Sequence, residues 1–206
     1  MTRTLRALAV TAIVAVFAAV NAWAQAPTRV RGTIEKVDGD LLMVKSREGT
    51  DLKLKLKPDA SVRAVVKATL EDVKPGVMVG ITSMPQADGS LKAVEIHIFP
   101  VGLNVNQSHG PWDLMPNSQM TNGAVQTSVA GVDGQVLTVT YKRGDNPPEE
   151  KKILVTPQTI IVKYDAATKA ELKAGQRIFV ANATKLADGT LEVASISYGK
   201  DIAPPM

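Results

Sequence analysis

The chain contains no cysteine, which excludes disulfides, thiolate metal ligation, thiol catalysis and a lipid-modified N-terminal cysteine. Histidine is nearly as scarce, at two residues, so general acid–base chemistry would fall to carboxylates. Aromatic residues are 4% of 206 positions, which leaves little for the stacking platforms of single-strand nucleic-acid binders. The formal net charge is only +4, too low and too mixed to argue for a polyanionic partner. Beyond residue 24 no stretch approaches the ~20 apolar residues of a membrane-spanning helix. None of the patterns G-x-S-x-G, H-E-x-x-H, G-x-G-x-x-G or the P-loop occurs.

What is present begins with a targeting pattern. Arg3 and Arg6 give a basic start, and Leu8 to Val20 is a 13-residue run, apolar apart from Thr11. Ala22-Trp23-Ala24 has the small-x-small spacing of a processing site. These residues predict a signal peptide over 1–24, cleavage near Ala24/Gln25, and a periplasmic or secreted location. Loss of Arg3 and Arg6 takes the charge from +4 to +2 and leaves 182 residues, 206 less 24. A disulfide-free exported chain of that length has to be held by its core.

The remainder repeats itself. Val37-Asp38-Gly39 returns as Val132-Asp133-Gly134, and Lys74-Pro75-Gly76 returns as Lys173-Ala174-Gly175. Ala87-Asp88-Gly89-Ser90-Leu91 returns as Ala187-Asp188-Gly189-Thr190-Leu191. The offsets are 95, 99 and 100, and the one large change falls at the Pro/Gly/Asp loop over 144–150. A repeat broken only at a loop is a structural duplication.

Each copy reads as five strands and one short helix. In copy one the strands fall near 30–37, 41–44, 52–57, 77–81 and 91–98, with a helix over 64–73 stopped by Pro75-Gly76. In copy two they fall near 126–132, 135–141, 151–156, 177–183 and 190–198, with a helix near 166–173 closed by Gly175. Leu52-Lys53-Leu54-Lys55-Leu56-Lys57 alternates strictly, the signature of a half-buried strand with leucine inside and lysine in solvent. Asp-Gly between apolar runs marks tight turns. Three strands, a helix and two strands is the order of a small OB-like barrel. The expected fold is all-β: a first barrel over 25–98, an ordered inter-barrel segment over 99–124, a second barrel over 125–199 and a tail over 200–206. A double-sheet sandwich is the alternative.

Candidate functional residues gather in the middle segment. Phe99, Val101, Leu103, Val105, Trp112, Leu114, Met115 and Met120 carry too much apolar surface to leave in water. Pro111, Trp112 and Leu114 are therefore the expected contact surface, with Trp112 anchoring the crossover. A sharper reading is a copper or zinc site. His109 and Asp113 are four apart, and Met115 and Met120 are soft thioether donors suited to Cu(I). His97 is a further candidate, although strand parity puts it on an outer face with Ala93 and Glu95. No catalytic residue is assigned.

The chain also resembles a family of bacterial exported proteins of unassigned function built from two OB-like domains. The resemblance covers nearly all of the chain after the leader. It rests on Val30-Arg31-Gly32-Thr33-Ile34, Pro75-Gly76, the linker His109-Gly110-Pro111-Trp112-Asp113-Leu114, Met120-Thr121-Asn122 and the ending from Gly199-Lys200-Asp201 to Pro204-Pro205-Met206. Members are sometimes labelled metal-transporter permease, which implies a link to metal transport. No segment after the leader is long and apolar enough for a permease, so the resemblance implies an accessory rather than a channel. The functional expectation is an exported, soluble, non-enzymatic binding or adaptor protein whose partner is an unknown protein or small ligand. It needs no cofactor, contacts no nucleic acid and has no membrane span after the leader. The alternatives are a copper- or zinc-binding accessory protein and an enzyme of unknown class.

Overall fold

The computed structural model describes residues 28–200, 202 and 204. The leader over 1–24, the processing site at Ala24/Gln25 and most of the tail lie outside the described residues. Strand β1 spans Thr28–Asp38, β2 Leu41–Ser46, β3 Asp51–Lys67, β4 Met78–Pro85, β5 Leu91–Ile98 and β6 Ser108–Pro111. Then come β7 Gln119–Gly131, β8 Gly134–Tyr141, β9 Glu149–Val155, β10 Ile160–Ala167, β11 Arg177–Lys185 and β12 Leu191–Gly199.

The fold is all-β, and its strands close into two five-stranded rings. In one, β1 pairs β2, β2 pairs β3, β3 runs parallel to β12, β12 pairs β11, and β11 returns to β1. In the other, β7 pairs β8, β8 pairs β9, β9 meets β5 in a short parallel contact, and β5 pairs β4, which returns to β7. Closure removes open edges from both sheets.

The rings do not follow the serial division into 25–98 and 125–199, and that expectation is corrected. The first three strands of each repeat close with the last two strands of the other repeat. The core of the first ring takes Val30, Ile34, Leu42, Val44, Leu54, Leu56, Val62 and Ala64 from the first half. The second half supplies Leu172, Ile178, Val180, Ala183, Leu191, Val193, Ile196 and Tyr198. The core of the other ring is mixed in the same way, with Val79, Ile81 and Ile96 against Leu137, Val139 and Ile153.

The length of β3 explains the exchange. Its 17 residues extend about 55 Å at ~3.3 Å per residue, well past one small barrel. Proline would normally end such a strand, but Pro58 lies where the β3–β12 register shifts between Val193 and Ser195. A bulge needs no ladder hydrogen bond from that position. In the second repeat Pro157 falls at the corresponding place, and there the strand divides into β9 and β10. The far half of β3 pairs with β10 in antiparallel register, Val65 opposite Tyr164. β10 also runs parallel to β5, so this central ladder joins the barrels and carries the chain from one to the other.

The helix expected over 64–73 is a single 3-10 turn at Leu70–Asp72, and that expected near 166–173 is another at Lys169–Glu171. Val62 and Val65 are buried, and such β-branched residues pack well on a pleated sheet, so the strands extend to Lys67 and Ala167. Matching capping boxes start the turns, Thr69 with Asp72 and Thr168 with Glu171. The duplication is also visible in two close approaches. A Cβ on Gly32 would overlap the Lys45 carbonyl oxygen, and one on Gly123 would overlap that of Thr140. Lysine behaves as its alternation implies: Leu54 and Leu56 are buried, while Lys53 and Lys55 face solvent.

Candidate ligand-binding site

A third apolar cluster lies between the barrels, with buried Met120 and Phe179 packed by Trp112 and Tyr164. It adjoins a cavity of about 200 Å³, larger than the roughly 150 Å³ that suffices to hold benzene. β3 contributes Arg63, β5 contributes His97, β7 contributes Asn122 and β10 contributes Tyr164, with Phe99 and Leu103 coming from the crossover.

His97 reaches this wall because β5 is bulged. The β4–β5 register shifts between Thr82 and Ser83, opposite Val94, and an extra residue there reverses the alternation. Ala93 therefore joins the barrel core while Glu95 and His97 face away from it. The outer face expected for His97 is not solvent, since its exposure is 2%. It is covered by Phe99, whose ring centre lies 4.8 Å from that of His97, and by Tyr164, whose ring centre lies 6.1 Å away. Gly80 makes room for it, because a Cβ there would overlap the imidazole Nε2.

Burial without an acidic partner pushes His97 down to about 3, so the imidazole is neutral at neutral pH. Burial, reinforced by Glu95, raises the Tyr164 phenol well above its ordinary range. Three polar atoms of the lining residues, His97 Nδ1, Asn122 Oδ1 and Trp112 Nε1, have no hydrogen-bond partner, and each is buried away from the cavity surface. Arg63 Nη1 donates to Ser195 Oγ at 2.9 Å. Such a wall can cover an apolar or aromatic body, with the Arg63 guanidinium as its one charged group.

The five residues considered for a metal are not gathered into one shell. On the β6–β7 ladder His109 stands opposite Thr121 and Gly110 opposite Met120. Neighbouring positions on a strand point to opposite faces, so His109 and Met120 diverge. His109 Nδ1 is 2.9 Å from Thr121 Oγ1, and the Arg143 side chain donates to its backbone carbonyl. Burial first, then the charges of Lys151 and Arg143, lower its pKa. Asp113 is held by Arg31 at 2.8 Å and Arg29 at 3.4 Å. The hydrogen bond from Arg31 leads in keeping its carboxyl below the usual range. Met115 is 37% exposed, and Met120 is buried in the apolar cluster. Among the described residues no group of three or more histidine, aspartate or glutamate side chains is placed to hold an ion.

The expected contact surface divides. Trp112 folds down: its backbone N–H donates to the Ser118 carbonyl at 2.7 Å, and Arg29 lies 4.0 Å over its ring. Pro111 is exposed at the end of β6, and Leu114 lines a separate groove with Arg31 and Arg177. His97 was legible as a metal candidate on an outer face and Asn122 only within the Met120-Thr121-Asn122 resemblance, while Tyr164 carried no sequence signal. A bulge and a barrel-to-barrel contact, neither local, bring them together. Among the described residues no helix is long and apolar enough to cross a membrane. In comparisons with known proteins the chain matches no protein-family model, no curated protein and no solved structure.

Proposed function

We propose that the protein is an exported, non-enzymatic binding protein that holds a small ligand in the cavity between its barrels. The observation that carries this reading is the cavity itself, about 200 Å³ between two closed barrels and lined by Phe99, Trp112, Tyr164 and Phe179. A binding role rather than catalysis is favoured by His97, whose pKa of about 3 makes it a poor general base at neutral pH. Export rests on the pattern of residues 1–24. Trp112 and Leu103 of the crossover help to line the cavity.

Thermal-shift screening of the chain against a small-molecule library tests the proposal. A ligand present at about 100 times its Kd stabilises by ~2.7 kcal/mol, a shift of several degrees. Ala181→Trp, at the exposed rim of the cavity, should abolish the shift without removing a core side chain. A library without hits, or hits indifferent to Ala181→Trp, would overturn the reading.

A further inference from the structure

We infer that the occupant of this cavity is a small aromatic monocarboxylate, its ring held between the barrels and its carboxylate at the mouth against Arg63 and Ser195. The inference rests on the cavity being a binding site, as proposed above, and adds the chemical class.

The charge follows from the lining. Among the residues that line the space, Arg63 on β3 is the only charged side chain. Glu95 is 6% exposed and stands outside the lining. A guanidinium carries N–H donors and no acceptor, in a planar fork that matches a carboxylate. Arg63 Nη1 donates to Ser195 Oγ at 2.9 Å, and Ser61 Oγ donates to the same oxygen at 3.1 Å. A hydroxyl oxygen has two lone pairs, so both are taken and the Ser195 proton is left to donate. Ser197, the other serine of the lining, is spent on the Phe179 carbonyl. Arg63 and Ser195 therefore make a corner of donors, which selects an acceptor bearing negative charge.

The orientation follows from burial. Ser195 and Ala181 are exposed, while Met120 and Phe179 are buried, so the donor corner lies at the mouth. A carboxylate there keeps part of its hydration and escapes most of the cost of burying an ion. One guanidinium balances one negative charge, which favours a monoanion over a dianion.

The body follows from the depth of the space. Phe99, Trp112, Tyr164 and Phe179 line it, with Phe99 and Tyr164 nearly parallel at 15°. Aromatic side chains pair favourably with a further ring, by face or by edge. The volume, about 200 Å³, exceeds the roughly 150 Å³ that holds benzene and leaves room for a short carboxyl-bearing arm.

A matched set tests the class: phenylacetate, phenylacetamide, 2-phenylethylammonium and acetate. Isothermal titration calorimetry on the full chain reads each affinity. Phenylacetate should bind at least about tenfold tighter than any of the other three. Arg63→Met keeps a long side chain and removes the fork; it should bring phenylacetate and phenylacetamide within about threefold of each other. A thermal melt checks that the variant folds, and should it fail to fold, the order of the four probes on the native chain still decides. Phenylacetamide, the ammonium or acetate binding as tightly as phenylacetate would overturn the ligand class and leave the binding site standing. So would a preference for phenylacetate that survives Arg63→Met, or silence from phenylacetate beside hits in the thermal-shift screen. Silence from all four probes, together with an empty screen, would overturn both.

Discussion

Cutting the chain in the β5–β6 crossover should leave two pieces that cannot fold as monomers. Val101 is fully exposed there and Gly102 has a φ of 80°, so a break after Asn104 disturbs no packed side chain. The fragments 28–104 and 105–206 nevertheless each lose half of a barrel. Eight of the sixteen buried side chains in the first core come from each half. At roughly 1.5 kcal/mol for each buried aliphatic side chain, losing eight partners removes about 12 kcal/mol. That is as large as the whole stability of a typical domain, ~5–15 kcal/mol. Mixed together, the fragments should reassemble. The crossover acts as a tether with an effective concentration in the millimolar range, so at ~10 µM its loss costs about 2.7 kcal/mol. Circular dichroism, ¹H–¹⁵N correlation spectra and sedimentation would follow the outcome. Each fragment alone should be unfolded or should pair with a second copy of itself, since the repeats are equivalent. The mixture should give one folded heterodimer whose melting point rises with concentration. A folded, monomeric 28–104 would refute the exchange of strands between barrels.

Stability should fall as pH drops from 7 to 5, because an unfolded histidine takes up a proton near 6.5 while folded His97 stays neutral down to about 3. The unfolded state then binds more protons, and the loss is roughly 2 kcal/mol by pH 5. Urea titrations at pH 7, 6 and 5 should show a shallower slope for His97→Gln; His109 titrates in both proteins and cancels, so equal slopes would sink the assignment. Gly32→Ala and Gly123→Ala should each destabilise by at least about 2 kcal/mol, since a backbone carbonyl blocks the new Cβ in both; denaturant midpoints near wild type would contradict the close approach. Trp112→Ala should cost about 2–3 kcal/mol, less than a fully buried tryptophan, because the ring is only half-buried. Asp113→Asn should change stability by under ~1 kcal/mol, since its ion pairs with Arg29 and Arg31 are partly exposed; thermal melts would read both.

The all-β class, the duplication and most strand positions follow from local pattern. The Leu52–Lys57 alternation and the Asp-Gly turns are local devices, and β2, β8 and the N-terminal part of β3 lie where they point. The helix expected over 64–73 failed because Ala64, Lys67 and Ala68 favour helix locally while Val62, Val65 and the β10 ladder favour strand. Tertiary pairing decides such conflicts.

The candidate site was less legible. Residues were sought in the crossover, where unusual types cluster, and Trp112 and Met120 do reach the central cluster. His109, Asp113 and Met115 are engaged or exposed elsewhere. His97 was assigned the correct face of its strand but the wrong surroundings. The face turned from one core is covered by the linking strand and the crossover.

Sequence by itself determined which segments are strands, which of their faces are apolar, and that the unit occurs twice. Those properties are written in residues two to four apart and in turns of two to four residues. Only the tertiary structure decided that each barrel is completed by the other repeat's last two strands, and that an aromatic-lined cavity lies between the barrels. Two equivalent repeats offer equivalent pairing partners, so no local pattern separates closure within a repeat from closure between them. The choice falls to the reach of β3 and to the ladder it forms with β10.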